Sequence, residues 1–293
     1  MRIVVSFPEP EGENKYFYSR VWQGYRNCMV EYIDHNISVI EVPYHKKSSK
    51  SNDRDLLEIL NEYKGNIDGL IAQGHIYEAE ENVIIKYSEF GIPIALACDN
   101  INKISSLCCV QADHHLTGMI AAELLTTQIP RGSSILIGTH ETLVPSHYET
   151  LRGFEDFIKK EKLEHEIIKV YGYEKNIETF KKTKELLDTN KNIKAIYSVN
   201  ARNTVSMCKA FIESSAPKNI SFLGSDIFKE SVDYMKQGFI KNILYKNPEE
   251  QSFKATKYLL DYLFKNERPK KNIVYVDTIV VFRSNIHLYE HLI

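Results

Sequence analysis

What this sequence lacks narrows its function first. None of its apolar runs approaches the roughly 18 residues needed to cross a bilayer. Its 13 glycines and 9 prolines are too few for a disordered, collagenous or linker-dominated chain. Neither sign of charge is in excess, since 37 basic residues against 39 acidic leave a formal net charge of −2. Without such an excess the chain has little means of releasing counterions from a polyanion, so strong non-specific nucleic-acid binding is not expected of it. The five cysteines (Cys28, Cys98, Cys108, Cys109 and Cys208) are odd in number and form no CxxC pair. That fits a reducing compartment better than a disulfide-stapled secreted scaffold. The opening Met1-Arg2-Ile3-Val4-Val5-Ser6-Phe7 lacks the pattern of a signal peptide and reads as a strand. The expected location is the cytoplasm; a fragment whose leading segment was cut away is the other reading.

Catalytic signatures are missing as well. There is no GxGxxG, no P-loop and no GxSxG elbow, so the backbone cradle of a pyrophosphate and the strained serine of a hydrolase are both excluded. Asp113-His114-His115 is the one dense metal-like cluster. Adjacent side chains on a helix diverge by about 100°, and no third ligand follows at a useful spacing, so a capped helix start explains it better. Cys98-Asp99 reads as a buried, inert cysteine at a strand end. With no nucleophile–base pair in view, no enzyme, no cofactor and no metal are expected.

What is present is a rhythm. At 293 residues, 43% hydrophobic and 26% charged, the chain is long enough for two compact units. Short apolar runs at 3–7, 38–42, 69–72, 92–97, 107–110, 134–138, 167–170, 195–199 and 220–224 lack polar alternation, as strands buried on both faces do. Helical patterns lie between them. From Phe17 the apolar positions recur at Val21, Tyr25, Cys28 and Tyr32, which keeps one helical face apolar. Similar faces occur at 83–90, 116–125, 154–158, 180–187, 205–212 and 253–264. Strand–helix units repeated over 1–104 and again over 134–224 predict an α/β fold with two doubly wound parallel sheets. The rhythm breaks in the last quarter: an apolar run at 240–245, a long helix, then another run at 273–282. No low-complexity linker separates the halves, so the chain is expected to pass between two lobes more than once.

Ligands of open α/β sheets sit outside the carboxyl ends of the strands. That rule collects residues 9–17, Gln73 and His75, Cys98-Asp99-Asn100, residues 139–148 and 171–173, Asn200, Asp226 and Lys246. Aromatic rings, amides and carboxylates predominate in this set, which includes Tyr148 and Tyr173. Sugars want that mixture, with rings against C–H faces and fixed polar groups for hydroxyls. Asn200 and Asp226 could equally be caps of the helices that follow them.

The sequence resembles the lactose-repressor (LacI) family of bacterial regulators and its periplasmic sugar-binding relatives. The likeness rests on Asn14-Lys15-Tyr16-Phe17 with Gly24 further along, on Ile67-Asp68-Gly69-Leu70-Ile71, and on Gly91-Ile92-Pro93-Ile94. It rests also on Val110-Gln111-Ala112-Asp113 followed by Gly118, Ala121-Ala122 and Leu124-Leu125, then on Gly153-Phe154, Ala195-Ile196, Asn200, Gly224-Ser225-Asp226, Gly238 and Asn247-Pro248. The resemblance implies a type I periplasmic-binding fold. Its lobes would cover 1–111 plus 248–276 and 112–247 plus 277–293, joined by a three-strand hinge and binding ligand in the cleft. It places Asn14, Tyr16 and Phe17 at the ligand, with polar contacts from Asp99, Asn200 and Asp226, and Lys246 at the hinge.

Two departures bear on the ligand. Tyr148 stands where many sugar-binding relatives carry an arginine, and Lys246 where a neutral glutamine is common. Losing a bidentate fork and adding a cation change which hydroxyls or carboxylates are read, so an acidic or modified sugar is in scope. The regulators of the family carry an N-terminal helix-turn-helix of about 60 residues that reads operator DNA. These 293 residues begin at the first core strand, so the expectation is an effector-binding, homodimer-forming region without that head. Operator DNA would be met only through the missing segment. A solute-binding protein of a sugar transporter or sensor is the second reading, and it predicts a monomer.

Overall fold

The computed structural model describes residues 1–12, 14–43, 49–74, 78–140, 144–172 and 176–293, with the backbone alone over 49–55 and 78–82. In chain order the elements begin with β1 (Arg2–Ser6), α1 (Lys15–Val30), β2 (Ser38–Glu41), α2 (Ser49–Glu62), β3 (Gly69–Gln73), α3 (Glu78–Glu89), β4 (Ile94–Ala97) and β5 (Cys108–Ala112). There follow α4 (His114–Thr126), β6 (Ser134–Thr139), α5 (Pro145–Lys160), β7 (Glu166–Tyr171), α6 (Asn176–Thr189), β8 (Ile193–Ser198), α7 (Ala201–Glu213) and β9 (Ser221–Ser225). The chain ends with α8 (Lys229–Lys236), β10 (Asn242–Tyr245), α9 (Pro248–Lys265), β11 (Ile273–Val276), β12 (Ile279–Phe282) and a closing 3-10 helix (Ile286–Leu292).

These elements form two compact units, Met1–Ala112 with Asn247–Val276, and Asp113–Lys246 with Asp277–Ile293. The chain therefore passes from one unit to the other three times, after β5, after β10 and after β11. Each unit owns a six-stranded sheet. The first has the order β11-β5-β4-β3-β1-β2 and the second β12-β10-β9-β8-β6-β7. The two orders are the same once the second half is renumbered, so each unit repeats one doubly wound plan.

All pairings in the first sheet are parallel. The second departs from the all-parallel expectation, because β12 runs antiparallel to β10. The reason lies in the connection. The apolar stretch at 273–282 is not one strand but two, broken at Asp277-Thr278. Its first part joins the edge of one sheet beside β5, and its second part the edge of the other beside β10.

Burial explains why the runs lack alternation. In β1, Ile3 and Val5 pack on the α1 and α9 side with Val21, Tyr25, Leu259 and Leu260. Val4, pointing the other way, packs with Leu56 and Leu60 of α2 and Val83, Ile84 and Tyr87 of α3. In β6, Ile135 and Ile137 meet Ala121, Leu125, Phe154 and Ile158, whereas Leu136 joins Met207, Phe211 and Val232. Both faces of the central strands are dry, the edge strands β2, β7, β11 and β12 being partly exposed, and each fully buried aliphatic side chain contributes about 1.5–3 kcal/mol.

Two helix pairs approach at backbone contact. A Cβ on Gly24 would collide with the carbonyl oxygen of Glu249, and one on Gly153 with that of His115. Only glycine lets α1 lie this close to α9, and α5 to α4. Asp113 caps α4 by accepting the Leu116 N–H at 2.9 Å, and His115 meets Asp156 at 2.9 Å. The Asp-His-His cluster is thus a helix start. Among the described residues no group of three or more His, Cys, Asp or Glu side chains could hold a metal ion, and no helix is long and apolar enough to cross a membrane.

Candidate functional site

In the second unit the carboxyl ends of β8, β9 and β10 deliver Asn200, Asp226 and Lys246 to one place. Asp226 follows β9 in a left-handed conformation, φ +68°, with its N–H donating to Leu244 O at 2.9 Å. Few residues with a Cβ adopt that conformation; aspartate is one that tolerates it. The turn aims a carboxylate that is only 2% exposed. Its Oδ2 lies 3.4 Å from Lys246 Nζ, and that ammonium donates to Val199 O at 3.1 Å. Burial pushes the Asp226 carboxyl above its ordinary value, while the Lys246 charge and the Ala201 N–H pull against that shift. Asp226 Oδ1 is buried and has no hydrogen-bond partner among the described residues. A buried carboxylate oxygen left in this state is an acceptor awaiting a donor.

Asn200 caps α7, its Oδ1 accepting the Asn203 N–H at 2.9 Å. The capping alternative therefore describes what its oxygen does, while the residue remains half-buried beside the Ala201 N–H that faces Asp226. Asp226 is no cap of this kind, since α8 begins at Lys229 with Phe228 at its N-cap. Behind these groups lies a polar network that sequence reasoning did not single out. Thr204 Oγ1 accepts the Ser225 N–H at 3.0 Å, and Ser225 Oγ donates to Ser198 O at 2.6 Å. The Ser198 and Thr204 hydroxyls also bond to each other. Asn203 Nδ2 donates to Thr139 O at 3.1 Å and so ties α7 to the end of β6. Nothing in the sequence sets these residues apart, because Ser198 and Ser225 end β8 and β9 while Thr204 lies within α7, and only the fold brings them together.

In the first unit Gln73 closes β3 and Asp99 follows β4. Both are buried, at 2% and 6% exposure, and Gln73 Nε2 donates to Asp99 Oδ2 at 2.9 Å. Cys98 between β4 and Asp99 has φ +73° and its N–H donates to Val110 O at 2.9 Å. This repeats the backbone turn of Asp226 in the other unit. Asn14 stands at the N-cap of α1 without a side-chain cap bond, and Tyr16 and Phe17 are half-buried in the first turn. Phe17 meets Tyr18 edge-on at 5.2 Å, and the Lys15 ammonium lies 5.4 Å above the Tyr16 ring. The segment leading to them is anchored from below by Trp22, whose Nε1 donates to Pro8 O at 2.8 Å.

Tyr148 is half-exposed on α5 and borders a cavity of about 130 Å³ shared with Thr139 at the end of β6, Leu151, Arg152, Glu155, Lys169 and Tyr171, where Lys169 and Glu155 pair at 2.6 Å. Tyr173 and His75 lie outside the described residues, as do positions 141–143. All five cysteines are free and buried. Cys28 and Cys108 are both pushed up to about 12 by burial, which keeps them from thiolate chemistry.

The family model for the periplasmic binding protein domain matches residues 61–267. No curated protein matches the sequence. Solved structures do resemble it. A protein described as a LacI transcriptional regulator from Bacteroides fragilis is 19% identical with a TM-score of 0.85, over 99% of either chain. A glucose-galactose binding protein from Geobacillus stearothermophilus is 21% identical with a TM-score of 0.81, covering 97% of this chain and 98% of the other. An ABC transporter solute binding protein from Agrobacterium vitis, with bound D-fucose, is 16% identical with a TM-score of 0.85, covering 98% and 97%. The fold is of the type I periplasmic-binding kind. The family and these neighbours are binding proteins and regulators, not enzymes.

Proposed function

This chain belongs to the periplasmic binding protein domain family, and from that premise we propose that it is the effector-binding region of a LacI-type transcriptional regulator whose effector is a sugar or sugar-like molecule. The observation that carries the ligand reading is Asp226, a buried carboxylate with one oxygen unpartnered and the other beside Lys246. A polyol supplies the hydroxyl donor that the unpartnered oxygen requires. Lys246 pairs with Asp226 at 3.4 Å, so these two groups together carry no net charge and suit an uncharged sugar. Tyr16, Phe17, Gln73 and Asp99 are the contacts from the first unit. Ligand held by residues of both units favours one arrangement of the units over another. A coupling of roughly 1–3 kcal/mol, or 5- to 150-fold, is enough to control operator binding by a head outside these 293 residues.

The likeness to a regulator over the whole chain supports this reading, as do five unpaired cysteines. Cytoplasmic location and a homodimer belong to the same proposal. The second reading, capture of a sugar for a transporter, draws on the glucose-galactose and D-fucose proteins of the same fold. Titration calorimetry against a sugar panel tests the ligand. Asp226→Asn and Tyr16→Ala are each expected to weaken binding, and unchanged affinity in both would overturn the site. Light scattering separates the two readings, a dimer at micromolar concentration supporting the regulator and a monomer supporting capture.

A further inference from the structure

The second unit holds a cavity that the contacts of Asp226 do not account for. On one side α5 presents Tyr148, Leu151, Arg152 and Glu155, whose spacing keeps them on a single helical face. On the other, β7 presents Lys169 and Tyr171, two residues apart and so on one side of the strand. Thr139, which ends β6, also lines the cavity and connects it to α7. Its carbonyl oxygen accepts Asn203 Nδ2 at 3.1 Å, and the Asn203 N–H donates to Asn200 Oδ1 at 2.9 Å. Gly172, just after β7, lies so close to the same amide that a Cβ there would collide with it. The cavity and Asp226 therefore stand on one rim, built from the carboxyl ends of β9, β8, β6 and β7 in that spatial order. Three strand spacings separate the ends of this rim, about 14 Å. One pyranose ring is too short for that distance, and two linked rings match it.

We propose that the cavity is a subsite for the second ring of a disaccharide whose first ring meets Asp226. Its volume of about 130 Å³ argues against a site that works alone, because pockets that hold a whole ligand are roughly 300–1,000 Å³. Its charges argue against an anionic group. Lys169 pairs with Glu155 at 2.6 Å and Arg152 with Glu149 at 2.8 Å, so each cation is already matched. The half-exposed Tyr148 ring offers a flat surface to the C–H face of a sugar, and Tyr171 offers a second. The paired side chains supply donors and acceptors for its hydroxyls. An apolar substituent in the same place would take water from these groups and return no hydrogen bond.

The inference rests on the reading of Asp226 as a sugar contact, and calorimetry on the full chain separates the two. The probes are the monosaccharides D-glucose and D-galactose, with the disaccharides maltose, cellobiose, lactose and melibiose. The parent is expected to bind at least one disaccharide tenfold or more tightly than either monosaccharide. Tyr148→Ala is expected to remove about tenfold of that preference. Leu151→Trp, which fills the cavity from the side of α5, is expected to remove it as well. Asp226→Asn weakens both classes of sugar and keeps their ratio. A monosaccharide bound as tightly as every disaccharide would overturn the second ring, and so would a preference that survives both cavity variants. In either case a loss of affinity in Asp226→Asn leaves the reading of Asp226 standing. A parent that binds none of the six sugars overturns that reading and the second ring together.

Discussion

Opposing influences on a single proton decide the behaviour of Asp226. Burial raises its carboxyl above the ordinary value, and Lys246 and the Ala201 N–H only partly offset this. The folded protein therefore holds that proton more tightly than the unfolded chain. The consequence for stability is a penalty absent below the unfolded value, appearing as pH rises from there through the folded value. Ligand binding runs the other way, because a hydroxyl donor needs the ionised acceptor. Affinity is expected to fall as pH drops through the raised Asp226 value, earlier than an exposed aspartate would allow, and calorimetry across that range in the parent and in Asp226→Asn checks it. At neutral pH the Asn variant loses a hydrogen bond to a charged group, about 1.5–3 kcal/mol or roughly 10- to 100-fold in affinity. The thiols make a second test. All five are buried, so a thiol reagent is expected to label none quickly in the folded protein and all five after denaturation. Asp226, Asn200 and Lys246 were legible because strand ends mark the rim. The supporting hydroxyls of Ser198, Thr204 and Ser225 were not, since serine and threonine occur everywhere and only register brings these three together.

Among the elements, the helix pairs α1–α9 and α4–α5 are held at backbone contact by Gly24 and Gly153. Gly153→Ala is expected to force the α4 backbone at His115 aside, at a cost of about 1–3 kcal/mol read from urea denaturation. By contrast, Gly132→Ala meets no neighbour but sits at φ +74°, so its smaller loss is conformational. The strands and helices were legible because the Ile, Val and Leu runs have the length and unbroken character of strands covered on both sides. The division of the stretch 273–282 was not. Ile273–Val276 and Ile279–Phe282 are equally apolar, and only their separate partners, β5 and β10, reveal that the Asp277-Thr278 break sends one to each sheet. Antiparallel pairing of β12 follows from that break and leaves no mark of its own in the composition.

At the scale of the whole chain, each unit has its own sheet and its own core, and the single tryptophan reports on only one of them. Trp22 is buried in the first unit against Phe7 and Tyr25. Without ligand, thermal unfolding followed by tryptophan fluorescence is expected to differ from that followed by far-ultraviolet circular dichroism. A ligand at a hundred times its dissociation constant adds about 2.7 kcal/mol to the folded form, and on the proposed reading, in which residues of both units hold it, the two curves are expected to converge. Neither unit is a continuous stretch of sequence. The first cannot bury Val5 or Tyr25 fully until Ala255 and Leu259 of α9 arrive, and it gains its edge strand only with residues 273–276. A ribosome making this protein must therefore reach Val276 before the first unit can be finished and Phe282 before the second sheet can be. Neither half can be obtained intact by trimming the gene at one end, and a premature stop near residue 270 would leave both sheets with a raw edge.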